Sequence, residues 1–169
     1  MTISIDPTAK VSPLADIEDS VRGTRIEIGA RTVVDAFVKI KPAGGTGDVV
    51  IGADCAINSG TVIYTGNGVT IGDAVAIAAN CTLAPTNHTI ADATRHIRLQ
   101  GFQSSKGGIV IEEDVWLGAN VVVLDGAIIR RGAVIGAGSV VRGEIPAYEI
   151  HAGTPTRRIG RRGVEVGGD

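Results

Sequence analysis

The feature that most constrains this chain is a repeat of six residues in its second half. From residue 111 a bulky aliphatic residue recurs at every sixth position: Ile111, Leu117, Val123, Ile129, Ile135 and Val141. Four positions after each of these comes a smaller or β-branched residue: Val115, Val121, Ala127, Ala133, Ser139 and Ile145. One six-residue unit is too short to bury its own apolar face, so several units must stack before any of them is stable. We therefore predict stacked coils that bury one continuous apolar column.

Each hexad is best interpreted as a short strand followed by a bend. Gly, Asn and Asp recur between the aliphatic positions, and these residues disfavour strands and favour turns. The bulky aliphatic residue is expected to point inward from the strand, and the smaller residue to fit inside the corner. The composition agrees with a narrow prism, since 24 of the 169 residues are Gly and only 3% are aromatic.

The repeat continues through most of the chain, with interruptions. Weak hexads over residues 1–27 predict an irregular first coil that caps the column. A Gly-rich stretch at residues 41–48 predicts a loop between coils. Residues 89–108 lack the period, and the hexads resume in phase after them, so we predict a loop extruded from one corner that walls a site or reaches a neighbouring subunit. We predict one domain over residues 1–162 and a frayed tail over residues 163–169.

Several motifs in a fixed order give the chain a resemblance to known enzymes. The motifs are Asn87-His88, the long loop, Trp116 within EEDVWLG, GAGSVV at residues 136–141, Ile145-Pro146 and Gly153-x-Pro155-x-Arg157. Together they resemble the hexapeptide-repeat acyltransferases, most closely the galactoside and maltose O-acetyltransferases and the O-acetyltransferases of bacterial surface polysaccharides. The resemblance covers roughly residues 50 to 162. It implies an all-β, left-handed parallel β-helix with three hexads per triangular coil.

The resemblance also implies a role for each matching residue. His88 matches the catalytic histidine, and an imidazole that titrates near neutral pH is the natural general base for a hydroxyl or amine. The resemblance implies substrate contacts for Asn58, Asn87 and Trp116, and acetyl-CoA contacts for Trp116, Ala119, Ala137, Arg142 and Arg157. A guanidinium is well suited to the phosphates of coenzyme A. The family further implies acetyl-CoA as co-substrate, no metal, and a homotrimer whose active sites lie between subunits.

The chain departs from the family pattern at positions that concern the acceptor. Arg142-Gly143 stands where the family often has Thr-Lys, and an acidic residue that helps bind sugar falls near Thr65-Gly66 here. The helical N-terminal segment of the galactoside enzymes has no counterpart. These departures leave the acceptor less determined than the coenzyme.

The expected activity is acetyl-CoA-dependent O-acetylation of a sugar or saccharide hydroxyl, with His88 as general base. The alternatives are N-acetylation of a nucleotide-linked amino sugar, acetylation of an antibiotic, and a non-catalytic hexapeptide-repeat protein. Serine acetylation is disfavoured because the large helical domain of those enzymes has no counterpart. A zinc carbonic anhydrase needs three suitably spaced histidines. His96 in the loop and His151 beyond the repeats do not fit that spacing, and we treat both as bystanders.

Charge and cysteine usage indicate the expected surroundings of the protein. The net charge of −2 gives no global field for nucleic acid or a membrane, and the sequence has no run of about 20 apolar residues for a membrane span. The first residues do not resemble a secretory signal. Cys55 and Cys81 occupy the small inward position of a hexad, which predicts two buried, reduced thiols and a cytoplasmic location.

Overall fold

A computed structural model describes residues 2–163, and its strands lie in three sheets that form the faces of a triangular prism. The first sheet contains β1 (Ile3–Ile5), β4 (Ile26–Ile28), β7 (Val49–Ile51), β10 (Val69–Ile71), β13 (Ile109–Ile111), β16 (Ile128–Ile129) and β19 (Glu144–Ile145). The second contains β2 (Lys10–Val11), β5 (Val33–Val34), β8 (Ala56–Ile57), β11 (Ala76–Ile77), β14 (Trp116–Leu117), β17 (Val134–Ile135), β20 (Glu149–Ala152) and β21 (Arg157–Arg161). The third contains β3 (Asp16–Ile17), β6 (Lys39–Lys41), β9 (Val62–Tyr64), β12 (Thr82–Ala84), β15 (Val122–Leu124) and β18 (Val140–Val141).

The chain visits the three sheets in turn, so each strand lies beside its counterpart in the next coil. The pairs Ile77–Leu117 and Leu83–Val123 show the parallel register, in which inward residues stack on inward residues. The last strand, β21, is the exception, because it turns back and pairs antiparallel with β20. The architecture is the predicted left-handed parallel β-helix of hexapeptide repeats.

The core is a single apolar column along the prism axis. All twelve residues assigned inward positions between 111 and 145 are at most 2% exposed. Cys55 and Cys81 are free and buried in the small inward position, as predicted. Burial raises the pKa of both thiols, which makes the reactive thiolate form scarcer.

The corners explain why Asn, Asp and Gly recur in the hexads. The residue just before the small inward position has a positive φ at many corners, for example 59° at Asp54, 60° at Asn120 and 70° at Gly138. This left-handed conformation is strained for most L-residues but accessible to Gly, and less readily to Asn and Asp. The corner residues thus turn the chain by about a third of a circuit without disturbing the strands.

The prism has three edges, named here by the sheets they connect. The first edge joins the first sheet to the second, the second edge joins the second to the third, and the third edge returns the chain to the first sheet of the next coil. Within residues 2–163, the segments that interrupt the six-residue repeat lie on the third edge: residues 18–25, 42–48, 65–68 and 85–108. The interruptions in the sequence repeat therefore accumulate on one side of the molecule.

The first coil differs from the expectation. It is complete, because β1, β2 and β3 each pair in register with the second coil. The break in the sequence pattern at residues 18–25 is a third-edge corner. The hexads are weak here because the first coil lies at the end of the column, where Ile5 is 42% exposed.

The short C-terminal segment forms the β20–β21 hairpin, and residues 164–169 of the predicted tail lie outside the described residues. Between residues 2 and 163 the structure contains no helix that is long and apolar enough to cross a membrane.

Candidate active site on the third edge

The excursion at residues 85–108 leaves the prism after β12 and returns just before β13. Its two legs pair with each other near the prism. The Gln103 N–H donates to the Asn87 carbonyl at 2.7 Å, and the Thr89 N–H donates to the Gly101 carbonyl at 3.0 Å. The tip carries a short 3₁₀ helix, Ile97–Leu99. The excursion is therefore a folded flap rather than a simple connection.

His88 lies at the base of this flap, in the leg that leaves the prism. It bridges to Phe102 in the returning leg, and the two rings pack with their centroids 4.6 Å apart. The imidazole is exposed, and among residues 2–163 neither ring nitrogen has a hydrogen-bond partner. Packing against Phe102 fixes one side of the ring and leaves its nitrogens accessible to a substrate.

The returning leg is fixed to the prism by Asp125, which follows β15 on the third edge. This carboxylate is only 8% exposed. Its Oδ2 accepts hydrogen bonds from the Lys106 N–H at 2.9 Å and from Asn67 Nδ2 at 3.1 Å. Its Oδ1 accepts the Gly108 N–H at 3.0 Å. One buried carboxylate thus connects the flap to two corners of the prism.

The flap and the third edge enclose an open groove of about 730 Å³. Its walls are formed by Asn87, His88, Ile90, Gln103, Lys106, Leu124, Asp125, Gly126, Arg142 and Gly143. The fold therefore brings together three of the predicted site residues, namely His88, Asn87 and Arg142. An exposed imidazole beside two exposed cations suits proton transfer next to an anionic ligand.

The other predicted residues lie along the second sheet and the second edge. Trp116 is on β14 between Ala76 and Val134 of the neighbouring strands, and the residue is 53% exposed. Ala119 and Ala137 stack at successive corners, where the Gly138 N–H donates to the Ala119 carbonyl at 2.8 Å. These small side chains leave the backbone of the edge open to a ligand.

Asn58 and Arg157 also belong to this second group. Asn58 Nδ2 donates to the Ile77 carbonyl at 2.8 Å, so part of its hydrogen-bonding capacity is used within the coil stack. Arg157 begins β21 and is exposed, and the turn before it bonds to β18, because the Thr156 N–H donates to the Val140 carbonyl at 3.1 Å. Its guanidinium is available for a phosphate.

The two groups are too far apart to contact one small acceptor within a single chain. A six-residue face of the prism spans roughly 20 Å at about 3.3 Å per residue. His88 and Asn58 lie on different edges, separated by the width of the third sheet. One sugar therefore cannot contact both residues of a single chain.

Three polar side chains of the groove were not predicted from the sequence: Gln103, Lys106 and Asp125. The first two lie in the aperiodic loop, where no pattern indicates which side chains face the prism. Asp125 lies at a corner, where an Asp is expected simply because it favours turns. The sequence therefore did not indicate that its carboxylate binds the flap. Its partner Asn67 is 58 positions away.

The remaining histidines do not join the groove. His96 is exposed near the flap tip, next to the 3₁₀ helix. His151 is buried in β20, with its Nε2 2.8 Å from a Glu149 carboxylate oxygen. Within the described residues, no group of three or more His, Cys, Asp or Glu side chains is placed to hold a metal ion.

Comparison with known proteins agrees with the repeat and the fold. The model of the bacterial transferase hexapeptide matches residues 108–143, and that of the hexapeptide repeat of succinyl-transferase matches residues 48–85. The Escherichia coli K12 protein WbbJ, named for O-acetyl transfer in lipopolysaccharide biosynthesis, is 33% identical over 144 residues, which cover 81% of this chain and 69% of WbbJ. The chain belongs to the hexapeptide-repeat acyltransferase family.

Other relatives share a smaller part of their length with this hexapeptide-repeat protein. The galactoside O-acetyltransferase of Escherichia coli K12 is 37% identical over 66% of this chain and 53% of its own length. Rv3034c of Mycobacterium tuberculosis, named as an acetyltransferase, is 39% identical over 68% of this chain. The chain spans only 35% of Rv3034c. It therefore covers about a third to a half of these two relatives.

Solved structures show the same fold. The acetyltransferase VCA0836 of Vibrio cholerae, in complex with acetyl coenzyme A, aligns with a TM-score of 0.59 and 27% identity over 79% of this chain and 69% of its own. The N-acyltransferase AntD of Bacillus cereus, in complex with dTDP and 3-hydroxybutyryl-CoA, aligns with a TM-score of 0.79 over 94% of this chain and 82% of its own. The identity to AntD is 22%, so this likeness concerns the fold.

Proposed function

We propose that this protein is an acetyl-CoA-dependent O-acetyltransferase that acts on a hydroxyl group of a sugar or saccharide. The observation that carries the proposal is the exposed imidazole of His88, which lines a groove between the flap and the third edge of a hexapeptide-repeat prism. Relatives named for galactoside and lipopolysaccharide O-acetylation support a saccharide acceptor.

His88 acts as the general base in the proposed reaction. Its imidazole takes the proton of the acceptor hydroxyl while that oxygen bonds to the carbonyl carbon of the thioester. Backbone N–H groups at the site stabilise the negative charge on the carbonyl oxygen. The carbon–sulfur bond then breaks, and the imidazolium returns its proton to the departing CoA thiolate. A well-placed base of this kind accelerates such a step typically by about 10²–10⁴-fold.

The substrates bind between two subunits of a homotrimer. One subunit supplies the third edge, with His88, Asn87 and Arg142. Its neighbour supplies the second edge, where Ala119 and Ala137 face the pantetheine arm of acetyl-CoA. The remaining proposed contacts from the neighbour are Asn58 and Trp116 to the acceptor, and Trp116 and Arg157 to the coenzyme. The roughly 20 Å face width supports this division, because one chain alone does not bring the two groups together.

The outer surface of the second sheet supports association of the subunits. Its outward positions form an apolar ladder along the prism: Val33, Ala56, Ala76, Trp116, Val134 and Ile150. Val33 is 43% exposed and Trp116 is 53% exposed in the single chain. A contiguous apolar patch of this kind is typical of a surface that another protein covers. A three-fold arrangement closes when the same face-to-edge contact repeats around an axis.

N-acetylation of a nucleotide-linked amino sugar is the second candidate. The cations Lys106 and Arg142 in the groove favour it, because they suit the phosphates of a nucleotide. An acceptor screen that pairs each sugar with its amino counterpart distinguishes the two activities. We further propose that residues 1–162 act as one domain in the cytoplasm, where the thiols of Cys55 and Cys81 stay reduced.

Titration with acetyl-CoA by calorimetry tests the proposed function. We expect saturable binding near one site per chain, and weaker binding by Arg157→Ala because a phosphate contact is lost. Arg22→Ala is the matched control, since this exposed arginine lies in the first coil. Wild-type protein that shows no binding up to millimolar acetyl-CoA would contradict the acyltransferase proposal.

A further inference from the structure

The inference concerns Lys106, whose position in the groove is fixed by two contacts. Its backbone N–H donates to the buried Asp125 carboxylate at 2.9 Å. Its side chain crosses the next corner at Gly126, where an added Cβ would lie 2.8 Å from the Lys106 Cβ. Gly126 in turn donates its N–H to the Gly108 carbonyl at 2.7 Å. The backbone and the Cβ of Lys106 are therefore held in place, unlike those of a lysine on a mobile loop.

The ammonium group of Lys106 has no anionic partner within residues 2–163, and neither has the guanidinium of Arg142. Asp125 also lines the groove, but its two oxygens already accept three N–H hydrogen bonds. The groove thus presents two cations beside an imidazole, with its one carboxylate engaged. Two cations against one carboxylate leave a net positive charge in the groove, which attracts an anionic ligand.

The distance between His88 and each cation indicates which substrate, the acceptor or the coenzyme, carries the anionic group that the cation binds. Successive coils are about 4.8 Å apart. The Lys106 side chain crosses the corner one coil beyond the coil that His88 leaves, and Arg142 lies on the corner after that. Along the axis, Lys106 therefore lies about 5 Å from the level of His88 and Arg142 about 10 Å, if each coil adds about 4.8 Å.

The coenzyme phosphates are separated from the reacting carbon by more than one coil step. In an extended pantetheine chain, roughly 15 Å separates the thioester carbon from the pyrophosphate, at about 1.2 Å per bond. A phosphate or carboxylate on a hexose ring lies only about 4–7 Å from a hydroxyl across the same ring, on the same scale. The axial position of Lys106, one coil from His88, matches an anionic sugar better than it matches the coenzyme. Arg142, two coils away, keeps the coenzyme contact that the family resemblance implies.

We infer that the acceptor carries a phosphate or carboxylate group, and that Lys106, positioned by Asp125, binds this group beside His88. The inference rests on the proposed function and narrows its substrate class. Lys106 contacts the acceptor, whereas Asp125 acts through Lys106 as a positioning residue. Both carboxylate oxygens of Asp125 accept a backbone N–H. The Asp125→Asn substitution replaces one of these oxygens with an NH₂ group, which donates and cannot accept, so one of the two hydrogen bonds is lost.

Calorimetry with three sugars tests the inference in the presence of saturating CoA. Galactose 1-phosphate and galacturonate are the anionic probes, and galactose is the uncharged one. We expect wild-type protein to prefer at least one anionic probe to galactose by about tenfold or more, the range of one charge-assisted hydrogen bond. Lys106→Gln should abolish the preference and leave the Kd of acetyl-CoA unchanged. Arg98→Gln is the matched control, because Arg98 is an exposed cation of the same flap outside the groove.

Asp125→Asn separates positioning from direct contact. It should reduce the anion preference with the Lys106 ammonium still present, and addition of Lys106→Gln should cause little further loss. Equal affinity of wild-type protein for all three sugars, or no binding of any of them, overturns the inference but leaves the acyltransferase proposal standing. Weaker acetyl-CoA binding by Lys106→Gln, with sugar binding unchanged, assigns the cation to the coenzyme and also overturns it. Failure of wild-type protein to bind acetyl-CoA defeats both proposals.

Discussion

His88 differs from the two other histidines in what surrounds its ring. His88 lines the groove and packs against Phe102. His96 is exposed near the flap tip, and His151 is buried beside Glu149. A general base must be accessible to the acceptor and held in place, and His88 alone meets both conditions among the three.

At the residue scale, His88→Ala should lower turnover by at least about 10²-fold, because the acceptor hydroxyl loses its base. The melting temperature should change little, since the imidazole lies outside the core. Steady-state release of CoA, measured with a thiol reagent, checks the first expectation. His96→Ala on the same flap is the control and should retain wild-type turnover. Normal turnover by His88→Ala would remove His88 from the mechanism.

At the element scale, adjacent residues of each strand point to opposite sides, one into the column and one outward. β16 offers a matched pair, because Ile129 is 0% exposed whereas the adjacent Ile128 is half-buried. Both residues are isoleucines in the same two-residue strand, so they differ only in the face they occupy. The inward face is the one that the six-residue period specifies.

Ile129→Ala should lower the free energy of unfolding by about 2–5 kcal/mol, because it opens a cavity in a column that cannot collapse easily. Ile128→Ala should lower the free energy of unfolding by clearly less. Denaturant unfolding of both variants, at equal protein concentration, provides the comparison. Equal losses would indicate that the two faces of β16 are buried alike.

The β20–β21 hairpin should respond to acid. A hydrogen bond from His151, together with the charges of Arg158 and Arg161, lowers the pKa of Glu149 below its ordinary value of 4.5. Ionised Glu149 therefore stabilises the folded protein fully above pH 4.5. This stabilisation is lost as the pH falls through the lower pKa that Glu149 has in the folded state. Thermal unfolding between pH 7 and pH 3 should show a shallower acid decline for Glu149→Gln than for wild type. Identical declines would show that this carboxylate contributes nothing.

At the scale of the whole molecule, the sequence predicts the prism well and the groove only partly. The inward positions must recur every six residues for coils to stack, so the column from Ile111 to Ile145 follows from the period. The contacts among Asn67, Lys106 and Asp125 follow instead from which corners lie above one another. That alignment depends on the lengths of all preceding excursions, and no local pattern encodes it. His88 was predicted because its motif resembles that of the family.

The arrangement of the two edges leads to the central claim, which is a site shared between subunits. His88→Ala inactivates the third edge. Ala137→Trp should inactivate the second edge, because a large ring on this exposed position blocks the path of the coenzyme. Sedimentation should first confirm that each variant has the mass of a trimer. A mass near one chain for the wild-type protein would already contradict the shared site.

The most direct measurement is the activity of mixed trimers refolded from equal amounts of the two inactive variants. If each site combines the third edge of one subunit with the second edge of its neighbour, random mixing restores about one quarter of wild-type activity, since each mixed trimer contains one intact site of three. The account predicts that recovery. Mixtures that stay as inactive as their parents would show that one chain supplies the whole site, and would contradict the account.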